Sequence, residues 1–341
     1  MRRSPIEELT LLSAGTVAHR AAARTRARGL LAAIDRTQLA ESLASMRLLA
    51  TLGPRIVELA GASGEEQFEH SVADALATGR RHGALLALIA QKTIGMLGEA
   101  GIRASPLKGP LLAEALYGDP ARRSSSDVDL LVAPAQLAQA VAVVRELGYA
   151  PPRDEVDESG LPLLHFALIH ERGELPPIEL HWRVHWYETR FAHERLLAPR
   201  GSHERWRPEP IDELAALLLF YARDGFLGLR HASDIGAWWD AFGGGVQRGA
   251  IDALIADHPR LEHAVRASLA VAERTVGLPV RELTRGHDHI RTRARVAVRL
   301  SDPCPSSGAA QQYAQMGLVD GLLAPPGELR AFVTRQLAPR R

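Results

Sequence analysis

The stretch from Leu107 to Val132, LKGPLLAEALYGDPARRSSSDVDLLV, constrains the fold of this chain more than any other. It ends in Asp127-Val128-Asp129-Leu130-Leu131-Val132, an apolar run broken by two carboxylates one residue apart. Side chains on a strand alternate faces, so Asp127 and Asp129 point the same way, about 6.5–7 Å apart along the chain. Val128, Leu130 and Val132 take the other face, towards a core. Two like charges beside an apolar core need compensation, and a divalent cation with oxygen ligands is the usual form it takes. Upstream, Lys108-Gly109 and Arg122-Arg123 offer close backbone approach and positive charge for phosphate. Together these residues suggest chemistry on a nucleoside triphosphate.

The rest of the chain frames that strand with helices. Residues 1–100 read as helical, with apolar residues at three and four spacing (Leu39, Leu43, Met46) and breaks at Gly53-Pro54 and 61–64. A short strand over 102–107 then turns at Gly109-Pro110 into a helix over 111–117, with Pro110 suited to the first helical position. The Asp-x-Asp strand follows, then a helix over 136–147 and a polar loop over 150–160. Strands are expected over 161–170 and 177–185. Alternation in the second places Glu179, His181, Arg183 and His185 on one face, with Ile178, Leu180, Trp182 and Val184 on the other. A loop over 199–210 leads into helices over 212–223 and 227–242, a flexible Gly243–Gly245 break, helical stretches over 251–276 and 279–300, and a linker over 303–308. This is an α+β chain: an N-terminal helical segment (1–100), a core of strands and helices (101–190) and a helical C-terminal region (191–341).

A two-metal site clamps the attacking and leaving oxygens of an in-line phosphoryl displacement. Asp127 and Asp129 supply shared ligands in such a site, and Glu179, between Ile178 and Leu180, is the natural third carboxylate. His181 and His185, with His165 and His170 nearby, raise a zinc alternative. Four residues along a strand is about 13 Å, too far to share one ion, so a zinc hydrolase would need that segment to be helical. Arg230 and Asp234 stand four apart on a helix, the spacing of a surface ion pair or of two cleft residues.

In this order of motifs the chain resembles the DNA polymerase β-like nucleotidyltransferase superfamily, and more closely the branch labelled uncharacterised nucleotidyltransferase. The residues that carry the likeness are Leu107-Lys108-Gly109, Arg123, Asp127 to Val132, Glu179-Leu180-His181-Trp182, and Arg230 with Asp234-Ile235. The resemblance spans about residues 80–240 and implies a nucleotidyltransferase-like mixed β-sheet core flanked by helices. It implies two Mg²⁺ or Mn²⁺ ions on Asp127, Asp129 and Glu179, and transfer of a nucleoside monophosphate from an NTP with release of pyrophosphate. It implies nucleotide contacts from Lys108, Gly109, Arg123 and Ser126, and a cleft position for His181, Arg230 and Asp234. The acceptor stays open among small molecule, peptide, protein and RNA. A non-catalytic nucleotide- or protein-binding member, or a metal-dependent phosphohydrolase, stands as the alternative. One departure is Pro110, whose missing N–H removes a backbone donor after Gly109.

Bulk properties exclude other classes. Net charge is +1, so no global basic field demands nucleic acid, and Arg20, Arg24, Arg26 and Arg28 read as a solvated helix face. Cys304 is the single cysteine, which excludes an internal disulfide and a multi-cysteine zinc site. No apolar run approaches the ~20 residues of a membrane span, and the N-terminus lacks a signal-peptide apolar region. The expectation is a cytoplasmic bacterial protein with no membrane partner.

Overall fold

The computed structural model describes residues 3–61, 65–151, 164–197, 208–285, 292–305, 308–325 and 327–328. The expected loop over 150–160, the start of the strand over 161–170, and parts of the stretches over 199–210, 279–300 and 303–308 lie outside these residues.

Five helices come first: α1 (Pro5–Ala14), α2 (Val17–Ala33), α3 (Arg36–Ser45), α4 (Leu49–Ala60) and α5 (Glu66–Glu99). Side-chain oxygens of Ser4, Thr16 and Asp35 cap the first three by accepting first-turn N–H groups. Gly53-Pro54 does not break the chain as expected, since α4 runs through it. Gly53 lies close against α5, where a Cβ would stand 2.6 Å from Val72. The expected solvated face of α2 is present, with Arg24, Arg26 and Arg28 exposed.

The sheet has four strands, β1 (Ala104–Pro106), β2 (Val128–Val132), β3 (His165–Leu168) and β4 (Ile178–His181), in the order β1-β2-β4-β3. β2 pairs antiparallel with β1 and parallel with β4, while β3 and β4 are antiparallel. Helix α6 (Pro110–Tyr117) joins β1 towards β2, and α7 (Leu137–Arg145) follows β2.

Alternation along β2 and β4 sets the two faces. Val128, Leu130, Val132, Ile178 and Leu180 are buried in one apolar cluster with α5 and α7. Leu131 falls in a second cluster shared with helices from both ends of the chain. The face that carries Leu131 also carries Asp129, and the C-terminal helices contribute to the same cluster as Leu131.

Those helices are α8 (Pro210–Arg223), α9 (Arg230–Phe242), α10 (Ala250–Asp257), α11 (Glu262–Val276), α12 (Val280–Leu283), α13 (Thr292–Leu300) and α14 (Ala309–Leu323). Every residue of α8 from Asp212 to Ala222 is buried, as befits a central helix apolar on most sides.

Three expectations change here. The strand over 177–185 stops at His181, because the Glu188 carboxylate accepts the N–H groups of Val184 (3.3 Å) and Ala192 (3.4 Å) and folds the chain back. Arg183 and His185 therefore leave the functional face, and His185 is buried against Trp186 and Tyr187. The helix over 251–276 is split at His258-Pro259, where proline removes an N–H and disfavours helical geometry before it. Gly243–Gly245 is a 3-10 turn packed on Trp239. Among the described residues, no helix is long and apolar enough to cross a membrane.

Candidate active site

Strand register assembles the site. β2–β4 pairing puts Asp129 opposite Glu179 and Leu131 opposite His181, and β3–β4 pairing puts His165 opposite His181. Asp127 lies one residue before β2, on the same side as Asp129. One carboxylate oxygen from each of Asp127, Asp129 and Glu179 lies within 4.8 Å of the other two. A second triad, His165, Glu179 and His181, meets the same limit, so Glu179 belongs to both.

Lys108 supplies countercharge and His181 a hydrogen bond. Lys108 Nζ is 2.8 Å from Asp129 Oδ1, and His181 Nε2 is 2.9 Å from that oxygen and 3.1 Å from Glu179 Oε2. Both acceptors are carboxylates, so Nε2 carries the imidazole proton in these contacts. Burial pushes the Asp129 carboxyl up, but Lys108 and the His181 hydrogen bond outweigh it and hold the group well below the usual range. Burial also opposes ionisation of Glu179, and the His181 hydrogen bond again wins, lowering its pKa. Asp127 is raised, first by burial and then by the charge of Asp129, against opposing contributions from Lys108 and Arg230. Asp129 Oδ2, His165 Nδ1 and His181 Nδ1 are buried with no hydrogen-bond partner, and such unmet polar groups concentrate at functional sites.

Gly109 delivers Lys108. Its φ of +94° and ψ of −154° belong to a region that essentially only glycine occupies. Pro110 takes the first position of α6, where an N–H has no intrahelical use. The missing donor noted from sequence therefore costs this turn little.

The loop before Asp127 is held from three sides. Arg80 pairs with Asp119 (2.6 Å), Thr51 Oγ1 donates to the Arg122 carbonyl (2.6 Å), and His82 Nε2 is 3.0 Å from the Ser125 carbonyl. Arg123 is buried, with Nε 2.7 Å from Asp234 Oδ2 and Nη1 donating to Ser125 Oγ at 2.8 Å. Tyr117 donates to the other Asp234 oxygen at 2.9 Å. Asp234 thus pairs with Arg123, not with Arg230 as the helical spacing allowed. Arg122 donates to the Thr51 carbonyl and lies over the Tyr117 ring. Ser126 is exposed beside Asp127.

The sequence model of the uncharacterised nucleotidyltransferase family matches residues 32–277. The chain belongs to this family. Comparison with curated proteins and with solved structures gave no match. In this member of the uncharacterised nucleotidyltransferases, Phe220 of α8 packs beside His181 on the sheet face, and the segment from α8 into α9 carries residues that the sequence did not single out. The Phe220 ring stands 6.4 Å from that of His181, with Lys108 Nζ at 5.5 Å and the Arg223 guanidinium at 4.9 Å from its centre. Asp224 Oδ2 is 2.9 Å from His231 Nε2. Burial acts against the Asp224 charge, but His231, Arg223 and Lys108 hold the group far below its ordinary value. Arg230 is partly exposed and its charge reaches Asp127. His165 was noted only for a zinc alternative built on His181 and His185. The structure pairs it with His181 across β3–β4, while His170 packs edge-on against Tyr149 elsewhere.

Proposed function

We propose that the chain is a metal-dependent nucleotidyltransferase that moves a nucleoside monophosphate from an NTP to an acceptor and releases pyrophosphate. The observation that carries this reading is the convergence of Asp127, Asp129 and Glu179 oxygens within 4.8 Å on one sheet face. The donor set fits hard divalent cations: three carboxylates, one of which keeps a buried, unpartnered oxygen in Asp129 Oδ2. Two Mg²⁺ or Mn²⁺ ions held there would polarise the phosphoryl oxygens and stabilise the attacking and leaving oxygens.

The chain's own groups do the rest. Asp127, Asp129 and Glu179 would hold the ions. An acceptor oxygen attacks the α-phosphorus, the bond to the β-phosphate oxygen breaks, and the acceptor's proton passes to ionised Glu179. Lys108 and Arg230, with Arg223 beyond Phe220, offset the charge of the triphosphate. Gly109 lets the backbone approach it, and exposed Ser126 offers a hydroxyl. Arg123 acts one step back: joined to Asp234 and Ser125, it fixes the loop that aims Asp127. This division suits phosphoryl transfer, where positioning and electrostatics dominate.

The test is calorimetric binding of each of the four triphosphates with Mg²⁺ or Mn²⁺. Wild type binds one or more only with metal, and the Asp127→Asn/Asp129→Asn variant binds none. Equal binding by both proteins would remove the carboxylates from the site.

A further inference from the structure

The second triad is chemically unlike the first. Asp127, Asp129 and Glu179 offer only oxygen, whereas His165, Glu179 and His181 offer two imidazole nitrogens and one oxygen. We propose that these three residues form a distinct metal site, selective for a transition ion such as Mn²⁺, Co²⁺ or Zn²⁺ over Mg²⁺, and bridged to the oxygen site through Glu179.

Geometry supports it. A tetrahedral ion with bonds of about 2.0–2.1 Å separates its ligand atoms by about 3.3–3.4 Å. Glu179 Oε2 lies 3.1 Å from His181 Nε2 and 3.7 Å from His165 Nε2, on either side of that value. The two rings are neighbours, with centroids 4.6 Å apart and planes inclined by 36°. The three ligands come from paired strands, His165 from β3 and the others from β4, so the sheet fixes their spacing before any ion arrives. Preformed ligands on rigid elements favour metal affinity.

Ligand chemistry gives the selectivity. Imidazole suits zinc, cobalt and other transition ions, while Mg²⁺ prefers carboxylate, water and phosphate oxygens in octahedral order. Ligation requires the His181 proton to sit on Nδ1 and leaves Nε2 for the ion. One Glu179 carboxylate then serves both positions, so an ion on the imidazoles changes how strongly that carboxylate serves the oxygen site. The site shares Glu179 with the proposed active site, yet its existence does not depend on nucleotidyl transfer.

The experiment uses the full-length protein in excess Mg²⁺ with less than one equivalent of Mn²⁺, read by pulsed electron paramagnetic resonance for imidazole ¹⁴N coupling. Wild type shows the coupling, and Asp127→Asn, which damages only the oxygen triad, keeps it. His165→Gln weakens Mn²⁺ binding at least tenfold and reduces the coupling from two nitrogens to one. His165→Gln/His181→Gln abolishes it. His165 is on an edge strand and partly exposed, so the single variant remains informative if the double one fails to fold. Absence of nitrogen coupling in wild type, or its persistence unchanged in His165→Gln, would overturn the proposal. Nitrogen coupling in a protein that transfers no nucleotide would leave this site standing and remove only the catalytic reading.

Discussion

Arg123 and Asp234 form a buried ion pair whose contribution to stability a double substitution can isolate. Their side chains are 3% and 1% exposed, and the contact is 2.7 Å. Burial disfavours the guanidinium charge, but Asp234 more than compensates, and the Arg123 pKa is raised. Asp234→Ala strands a buried guanidinium and the Tyr117 hydroxyl, and breaking such a pair costs about 3–5 kcal/mol. At about 2 °C per kcal/mol in a chain of this size, Tm falls by about 6–10 °C. Arg123→Met/Asp234→Leu removes both charges and fills the space with apolar atoms, so stability returns to within about 1–2 kcal/mol of wild type. Urea unfolding followed by the fluorescence of buried Trp238, four residues along α9, gives all three values. The double variant also frees the loop that Arg123 ties through Ser125, so metal-dependent triphosphate binding weakens although stability is retained. Wild-type binding by a stable double variant would mean that the pair does not aim Asp127. Asp234→Ala within 1 kcal/mol of wild type would refute the burial argument itself.

Three further outcomes follow from the same geometry. Burial pushes the Glu188 carboxyl up to about 7 from an ordinary 4.5, so the folded state holds that proton more tightly than the unfolded one. Its stabilising contribution is present below pH 4.5 and is lost as pH rises to about 7. At about 1.4 kcal/mol per pKa unit this loss is bounded near 3 kcal/mol; Glu188→Gln should flatten the fall in urea midpoints between pH 5 and 8. Gly109→Ala meets no atom closer than Ser125 Oγ at 4.0 Å, so its cost is backbone strain of about 1–3 kcal/mol, accompanied by weaker triphosphate binding. Lys108→Met removes the largest group that lowers the Asp129 pKa. The Asp129 pKa rises, and the acid limb of metal binding, measured by titration from pH 4 to 8, moves to higher pH.

What could be read from the sequence was local. Alternation in Asp127 to Val132 and in Ile178 to His181 depends only on the two-residue period of a strand, so both acidic faces were visible. Gly109-Pro110 announced the turn into α6 because each residue has a backbone requirement of its own. The hidden parts depend on distance in the chain. His165 joins His181 only through the β3–β4 register, which no periodicity states. Arg123 and Asp234 are 111 residues apart, and Arg230, four residues from Asp234, was the more obvious partner. Helix α8 is buried over eleven consecutive residues, so its pattern gave no phase and did not show that Phe220 and Arg223 turn to the sheet. The halt of β4 at His181 goes with the Glu188 carboxylate, which lies outside the local pattern.

The most direct measurement is label transfer from α-labelled triphosphates with Mg²⁺ or Mn²⁺, using cell extract as the source of acceptor. Wild type should place the label on an acceptor and release pyrophosphate, and Asp127→Asn/Asp129→Asn should do neither. Transfer by the variant at the wild-type rate, or metal-dependent triphosphate binding by wild type without pyrophosphate release in any extract, would contradict the account.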